Sequence, residues 1–116
     1  MLIPTQSKIY IATAPIDFRM SIDGLSSMIQ RSVGSYIHDG SLYVFFNRHM
    51  NKIKVLYWDK NGFVLYYKRL DKTRFKFKKF SQAMETLTAE ELDVLLAGYD
   101  PSHVQRKPVT LLGHSQ

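Results

Sequence analysis

The chain contains no cysteine. Disulfide bridges and thiolate metal sites are therefore excluded, and a reducing compartment suits it. No apolar run approaches the roughly 20 residues that a membrane-spanning helix needs. The opening Met1-Leu2-Ile3-Pro4-Thr5-Gln6 has neither the basic flank nor the apolar core of a secretory leader. A soluble, cytoplasmic protein with no membrane partner is the expectation. Catalytic signatures are missing too: there is no G-x-S-x-G, no phosphate loop and no Gly-rich dinucleotide fingerprint. His38, His49, His103 and His114 are scattered without metal-ligand spacing, so no metal site is expected. Asp17, Asp23 and Asp59 are the acids that could form a two-metal cluster, but each reads more simply as a cap, a first-turn acid or a turn residue. The expectation is a protein that is not an enzyme and needs no cofactor.

What is present is a core and a concentrated charge. The 116 residues are 45% hydrophobic and 13% aromatic, enough for one compact domain rather than a disordered chain. The net charge is +6. Lys68, Arg69, Lys72, Arg74, Lys76, Lys78 and Lys79 face a single acid, Asp71, within twelve residues. Elsewhere nine bases balance nine acids, so the whole excess sits in that segment. A field focused in this way suits a polyanion.

Local patterns predict the elements. Lys8–Thr13, Ser41–Asn47, Lys52–Asp59 and Phe63–Leu70 are β-branched and aromatic runs that read as strands. Arg74–Lys78 alternates base with phenylalanine and reads as a further strand with one wet face. Phe18, Ile22, Leu25, Ile29 and Val33 form one helical stripe, with Asp17 as its N-cap and Gly34 as its stop. Thr88 and Glu91 make a capping box for a helix that runs through Leu92, Leu95 and Leu96 to a C′ residue at Gly98. The expected fold is α+β: a small antiparallel sheet of four or five strands packed with two helices. Residues 1–100 form the compact domain and 101–116 a C-terminal tail.

Asn61-Gly62 predicts a two-residue type I′ hairpin. That register sets Lys54 opposite Arg69, Leu56 opposite Tyr67 and Trp58 opposite Leu65, all on one side of the sheet. Ile53, Val55, Tyr57, Val64, Tyr66 and Leu70 take the other side, read as the core face. A like-charge pair such as Lys54–Arg69 destabilises by up to about 1 kcal/mol, which a bound phosphate would relieve. The bland alternative is an amphipathic sheet whose lysines snorkel past an aromatic cluster. For Arg74–Lys78, the alternatives are a row of phosphate contacts anchored by Phe75 and Phe77, or an edge strand guarded by lysines.

Four segments, in order, resemble a known family. They are Pro15-Ile16-Asp17-Phe18-Arg19 with Ser21-Ile22-Asp23-Gly24-Leu25; Gly40 with Tyr43-Val44-Phe45 and Asn47-Arg48; Lys54 to Asp59 with Gly62-Phe63 and Lys68-Arg69-Leu70; and Leu95-Leu96-Ala97-Gly98. Together they resemble the accessory (TnpB, or Orf2-like) family of IS-sixty-six insertion sequences, over roughly residues 7 to 100. Met20, His49 and Thr73 depart from its usual lysine, arginine and glycine. The resemblance implies a non-catalytic accessory factor in DNA transposition, encoded beside a separate transposase. The expected nucleic-acid contacts are Lys54, Lys68, Arg69, Arg74, Lys76 and Lys78, supported by Arg19 and Arg48, with Trp58 and Tyr67 available to stack. The expected partners are DNA at the element ends, the transposase and other accessory subunits. The alternative is a protein-interaction module that binds the transposase without touching DNA.

Overall fold

The computed structural model describes residues 7–33, 37–77 and 84–104. They form a five-stranded sheet with a helix on each face. The strands are β1 (Ile9–Ala12), β2 (Leu42–Phe46), β3 (Lys52–Asp59), β4 (Gly62–Arg69) and β5 (Met84–Leu87). The helices are α1 (Ile22–Val33) and α2 (Ala89–Leu96). Spatial order is β4-β3-β2-β1-β5.

The α+β class is as expected, but the sheet is mixed rather than antiparallel. β1 and β2 pair in parallel, while the other neighbours are antiparallel. The reason is the helical crossover: a parallel pair cannot be joined by a tight turn, and α1 carries the chain back to the starting end.

The hairpin register also differs from expectation. Asp59 pairs with Gly62, so the two-residue turn is Lys60-Asn61. Lys60, at φ 54°, takes the left-handed conformation there. The expected register moves by two residues, which preserves which face each side chain occupies but changes every cross-strand partner. Leu56 now faces Leu65, Lys54 faces Tyr67, and Lys52 faces Arg69.

Alternation divides the sheet between two cores. Ile9, Ile11, Leu42, Val44, Phe46, Ile53 and Val55 pack under α2 with Leu92, Leu95 and Leu96. Tyr43, Phe45 and Leu56 pack under α1 with Leu25 and Ile29. On the face read as core Ile53 and Val55 are buried while Tyr57, Val64, Tyr66 and Leu70 are half-buried, and on the opposite face Lys54 and Leu56 are buried too, because α1 covers it.

The helices differ in what sets their ends. In α2 the Thr88 hydroxyl accepts from Glu91 N and the Glu91 carboxylate accepts from Thr88 N, so the capping box is present. Its far end closes with Gly98 at φ 95°, Gly98 N donating to Leu95 O and Tyr99 N to Val94 O. By contrast, α1 begins at Ile22, a turn later than Asp17 would have capped it. Asp17 instead accepts from Arg19 N at 2.9 Å, and Phe18 packs against the α1-side core from outside the helix. The expected stop at Gly34 lies outside the described residues.

Arg74–Lys78 is not a strand; residues 73–77 run as an irregular segment, and Lys78 lies outside the described residues. The fifth strand is Met84–Leu87, antiparallel to β1. Beyond residue 100 the chain makes a 3-10 turn at Pro101–His103, with Pro101 buried.

Candidate nucleic-acid interface

The sheet register gathers the bases at one end. β2 and β3 are joined by the turn through Arg48, His49 and Met50, and β4 returns to the same end at Arg69. Backbone bonds lock the basic segment there: Leu70 N donates to Asn51 O at 2.8 Å, and Phe75 N donates to Met50 O at 2.6 Å. The turn itself is built by Asn47, whose side-chain oxygen accepts from Asn51 N and Lys52 N. Met50 adopts φ 58° to close it.

Phe75 anchors the segment. It is buried, with its ring 5.7 Å from that of Phe46, and Phe77 stacks on the same ring at 5.9 Å. Lys76, between these anchors, and Arg74, just before them, stay exposed, as do Asp71, Lys72 and Thr73. The alternation of base and phenylalanine thus works as expected without a hydrogen-bonded ladder: the rings go inward and the bases outward.

The like-charge conflict is real but falls on different residues. Lys52 pairs with Arg69, on the face that also carries Lys54. Among the described residues, the ion pair formed is that of Arg19 with Asp17, so Arg69, Arg74 and Lys76 carry uncompensated charge.

Two lysines expected at phosphates are otherwise engaged. Lys54 is only 5% exposed. Its Nζ donates to Phe18 O at 2.8 Å and Met20 O at 2.7 Å. The same ammonium lies 4.8 Å from the Phe18 ring centre and 5.5 Å from that of Tyr67. Burial, together with the neighbouring Lys52 charge, lowers its pKa, with Asp17 opposing. Lys68 projects to the other face and donates to Leu96 O at 2.8 Å, at the C-terminus of α2. Lys54, buried with two of its three donors on main-chain carbonyls, is a structural lysine instead of a surface phosphate contact, while half-buried Lys68 spends one donor on the helix end.

The aromatic expectations separate as well. Trp58 lies at the far end of β3, six residues or about 20 Å from Lys52. It packs edge-on against His38 at 4.6 Å and Phe63 at 5.0 Å, away from the basic end. Tyr67 is 52% exposed and sits one pleat from Arg69 on the same face. It alone of the two could meet a nucleotide beside those bases.

Arg48 lines a shallow cleft together with Asp17, the partner of Arg19. Pro15 to Phe18 and Asn47 to His49 line about 390 Å³ of open space. Arg19 is held by Asp17, its Nε donating to both carboxylate oxygens at 3.1 and 2.9 Å and its Nη2 to Oδ2 at 2.5 Å. Lys52 and Lys72 belong to the basic end and were missed. The correct hairpin register would have exposed Lys52, and Lys72 was visible only as part of the charge run.

The class that fold and site define is a small two-faced α+β domain with a cationic sheet end. The family model described as IS66 Orf2 like protein matches residues 7–106, and the chain belongs to that family. Its role is therefore accessory to transposition. Two relatives come from Sinorhizobium fredii. The uncharacterized protein y4jC is 31% identical over 102 residues, 88% of this chain and 87% of its own. The uncharacterized protein y4hO is 32% identical over 98 residues, 84% of this chain and 85% of its own. No solved structure matches. Among the described residues no helix is long and apolar enough to cross a membrane.

Proposed function

We propose that this chain is a non-catalytic, cytoplasmic accessory protein that binds DNA at the element ends through phosphate contacts, leaving strand transfer to the transposase. Arg69, Arg74, Lys76 and Arg48 make those contacts, with Lys52 and Lys72 beside them and Lys78 continuing the series along the chain. Tyr67 offers a ring next to Arg69. The observation that carries the reading is the set of exposed bases Arg69, Lys72, Arg74 and Lys76, none ion-paired among the described residues, seated by Phe75 on a sheet end that already opposes Lys52 to Arg69. Charge of one sign held rigidly and unrelieved is stabilised by a polyanion.

The acids also support a non-catalytic role. Asp17 is engaged by Arg19, Asp23 lies in the first turn of α1, and Asp59 flanks the hairpin at the opposite sheet end. They do not converge as a two-metal centre requires.

The test is fluorescence anisotropy with labelled duplex across a salt series. Four or five neutralised phosphates give a slope of log K against log salt of about −4. Arg74→Glu with Lys76→Glu should flatten it by about 2. Failure to bind any duplex at low salt would remove the reading.

One observation favours a transposase-binding surface as a second reading. Tyr99 is 67% exposed at the end of α2 and lines a cleft with Lys76, Val94, Asp100, His103 and Val104. If Tyr99→Ala abolishes transposase co-purification while DNA affinity holds, the protein serves both partners from different surfaces.

A further inference from the structure

Arg19 differs from every other base at this end of the molecule. Its side chain is 91% exposed, yet it is not a free cation, because Asp17 answers its charge. The Asp17 carboxyl is held down to about 2, first by the side-chain hydrogen bond from Arg19 and then by the Arg19 backbone N–H. At neutral pH the pair is therefore a zero-charge unit. Such a unit has little Coulombic attraction for a phosphate, and the carboxylate actively repels one.

What remains is direction. A guanidinium offers five N–H donors in a planar fork. Asp17 takes the edge formed by Nε and Nη2. The opposite edge, Nη1 with the second Nη2 proton, faces away from Asp17 with no other partner among the described residues. Two parallel donors on that edge match the O6 and N7 acceptors of guanine in the major groove.

The backbone beneath is fixed to an unusual degree. Lys54 Nζ donates to Phe18 O and to Met20 O, the carbonyls on either side of Arg19. Met20 N donates to Asp17 O, and Ile16 N donates to Phe46 O on the sheet. One buried ammonium thus holds the peptide that enters Arg19 and the peptide that follows Met20, bracketing the residue. A phosphate contact tolerates a floppy arm; a base contact needs this placement. Exposed Arg48 lines the same cleft as Asp17, the partner of Arg19, so it can hold the DNA backbone while Arg19 reaches the groove.

We propose that Arg19 is a base-reading residue whose ligand is a guanine edge in duplex DNA, with Asp17 and Lys54 as its positioning residues. This rests on the DNA-binding reading above, and it supplies the sequence preference that phosphate contacts do not.

The test uses the full chain and three duplexes: the element's terminal repeat, a scrambled sequence, and the repeat with 7-deazaguanine replacing guanine. Arg19→Ala should lose about 5- to 150-fold on the repeat. It should keep its affinity for the scrambled duplex within about twofold, with the salt slope unchanged. 7-Deazaguanine, which lacks the N7 acceptor, should weaken the parent protein and leave Arg19→Ala unaffected. Asp17→Asn frees a cation, so it should bind the scrambled duplex more tightly, steepen the slope by about 1 and narrow the preference for the repeat. Equal losses on repeat and scrambled duplexes with a flatter slope would make Arg19 a phosphate contact, overturning this proposal while DNA binding stands. A parent protein that binds both duplexes without preference overturns it in the same way. A parent protein that binds neither overturns both readings.

Discussion

The two faces of the sheet are closed by helices that obtain their positions differently. α2 is specified locally, by Thr88 and Glu91 at one end and Gly98 at the other. α1 takes its start from across the sheet, where Lys54 on β3 holds the carbonyls of its lead-in loop. The hairpin supplies a lysine to each face, since Lys68 on β4 reaches the C-terminus of α2. The two amines are not equivalent. Lys68 meets a helix end whose dipole already favours a cation, and it remains half-buried. Lys54 is buried against the Phe18 and Tyr67 rings and donates to two main-chain carbonyls. A basic sequence thus holds two populations, bases the fold consumes and bases it leaves for a ligand, and spacing alone does not sort them.

The largest effect should come from Lys54→Ala. It strands the Phe18 and Met20 carbonyls and should destabilise by about 2–4 kcal/mol. Urea unfolding should show a lower midpoint at constant m. A loss no greater than that of Lys68→Ala would erase the asymmetry between the faces. Thr88→Ala should cost about 1 kcal/mol by removing one half of the capping box, read in the same unfolding experiment. Lys68→Ala comes next, at about 0.5–1 kcal/mol, and added salt should shrink the difference from the parent.

The smallest effect concerns Asp17, whose carboxyl should titrate at about 2 in the parent and rise part of the way toward 3.8 in Arg19→Ala, where the backbone N–H of residue 19 still donates to it, followed by carboxyl NMR. A depressed carboxyl pKa means that the linked stability is fully present above 3.8 and disappears as pH falls through 2. An unshifted titration in the parent would show that the Asp17–Arg19 pair does not persist in solution.

How legible this was in the sequence depends on whether a feature is local. β3 ends where its residues suggest, and α2 follows its caps, because both signals lie within the element. β3 and β4 do form a hairpin, but its turn is Lys60-Asn61 instead of Asn61-Gly62, with Lys60 at positive φ. Pairing along eight-residue strands outweighs a mild left-handed penalty at one lysine. Met84–Leu87 gave no strand signal, since Glu85 interrupts four residues; β1 makes it a strand by pairing with it. Arg74–Phe77 had the period of a strand but anchors to Phe46 instead.

The candidate site shows the same divide. Exposure of Arg69, Arg74 and Lys76 followed from charge density. The burial of Lys54 did not, because it depends on α1 arriving from elsewhere in the chain.

The placement of β1 also bears on how the molecule assembles in time. β2, β3 and β4 are consecutive neighbours and can form as a meander soon after synthesis. β1 can join β2 through the α1 crossover, but its second edge waits for β5, with Ile9 opposite Leu87 across 78 residues of chain. Closing that distance carries the largest loop entropy in the fold, so folding is expected to be rate-limited by the last strand to emerge and not by the hairpin. Until then a nascent chain exposes the flank of β1 to any passing strand, and the completed protein hides it.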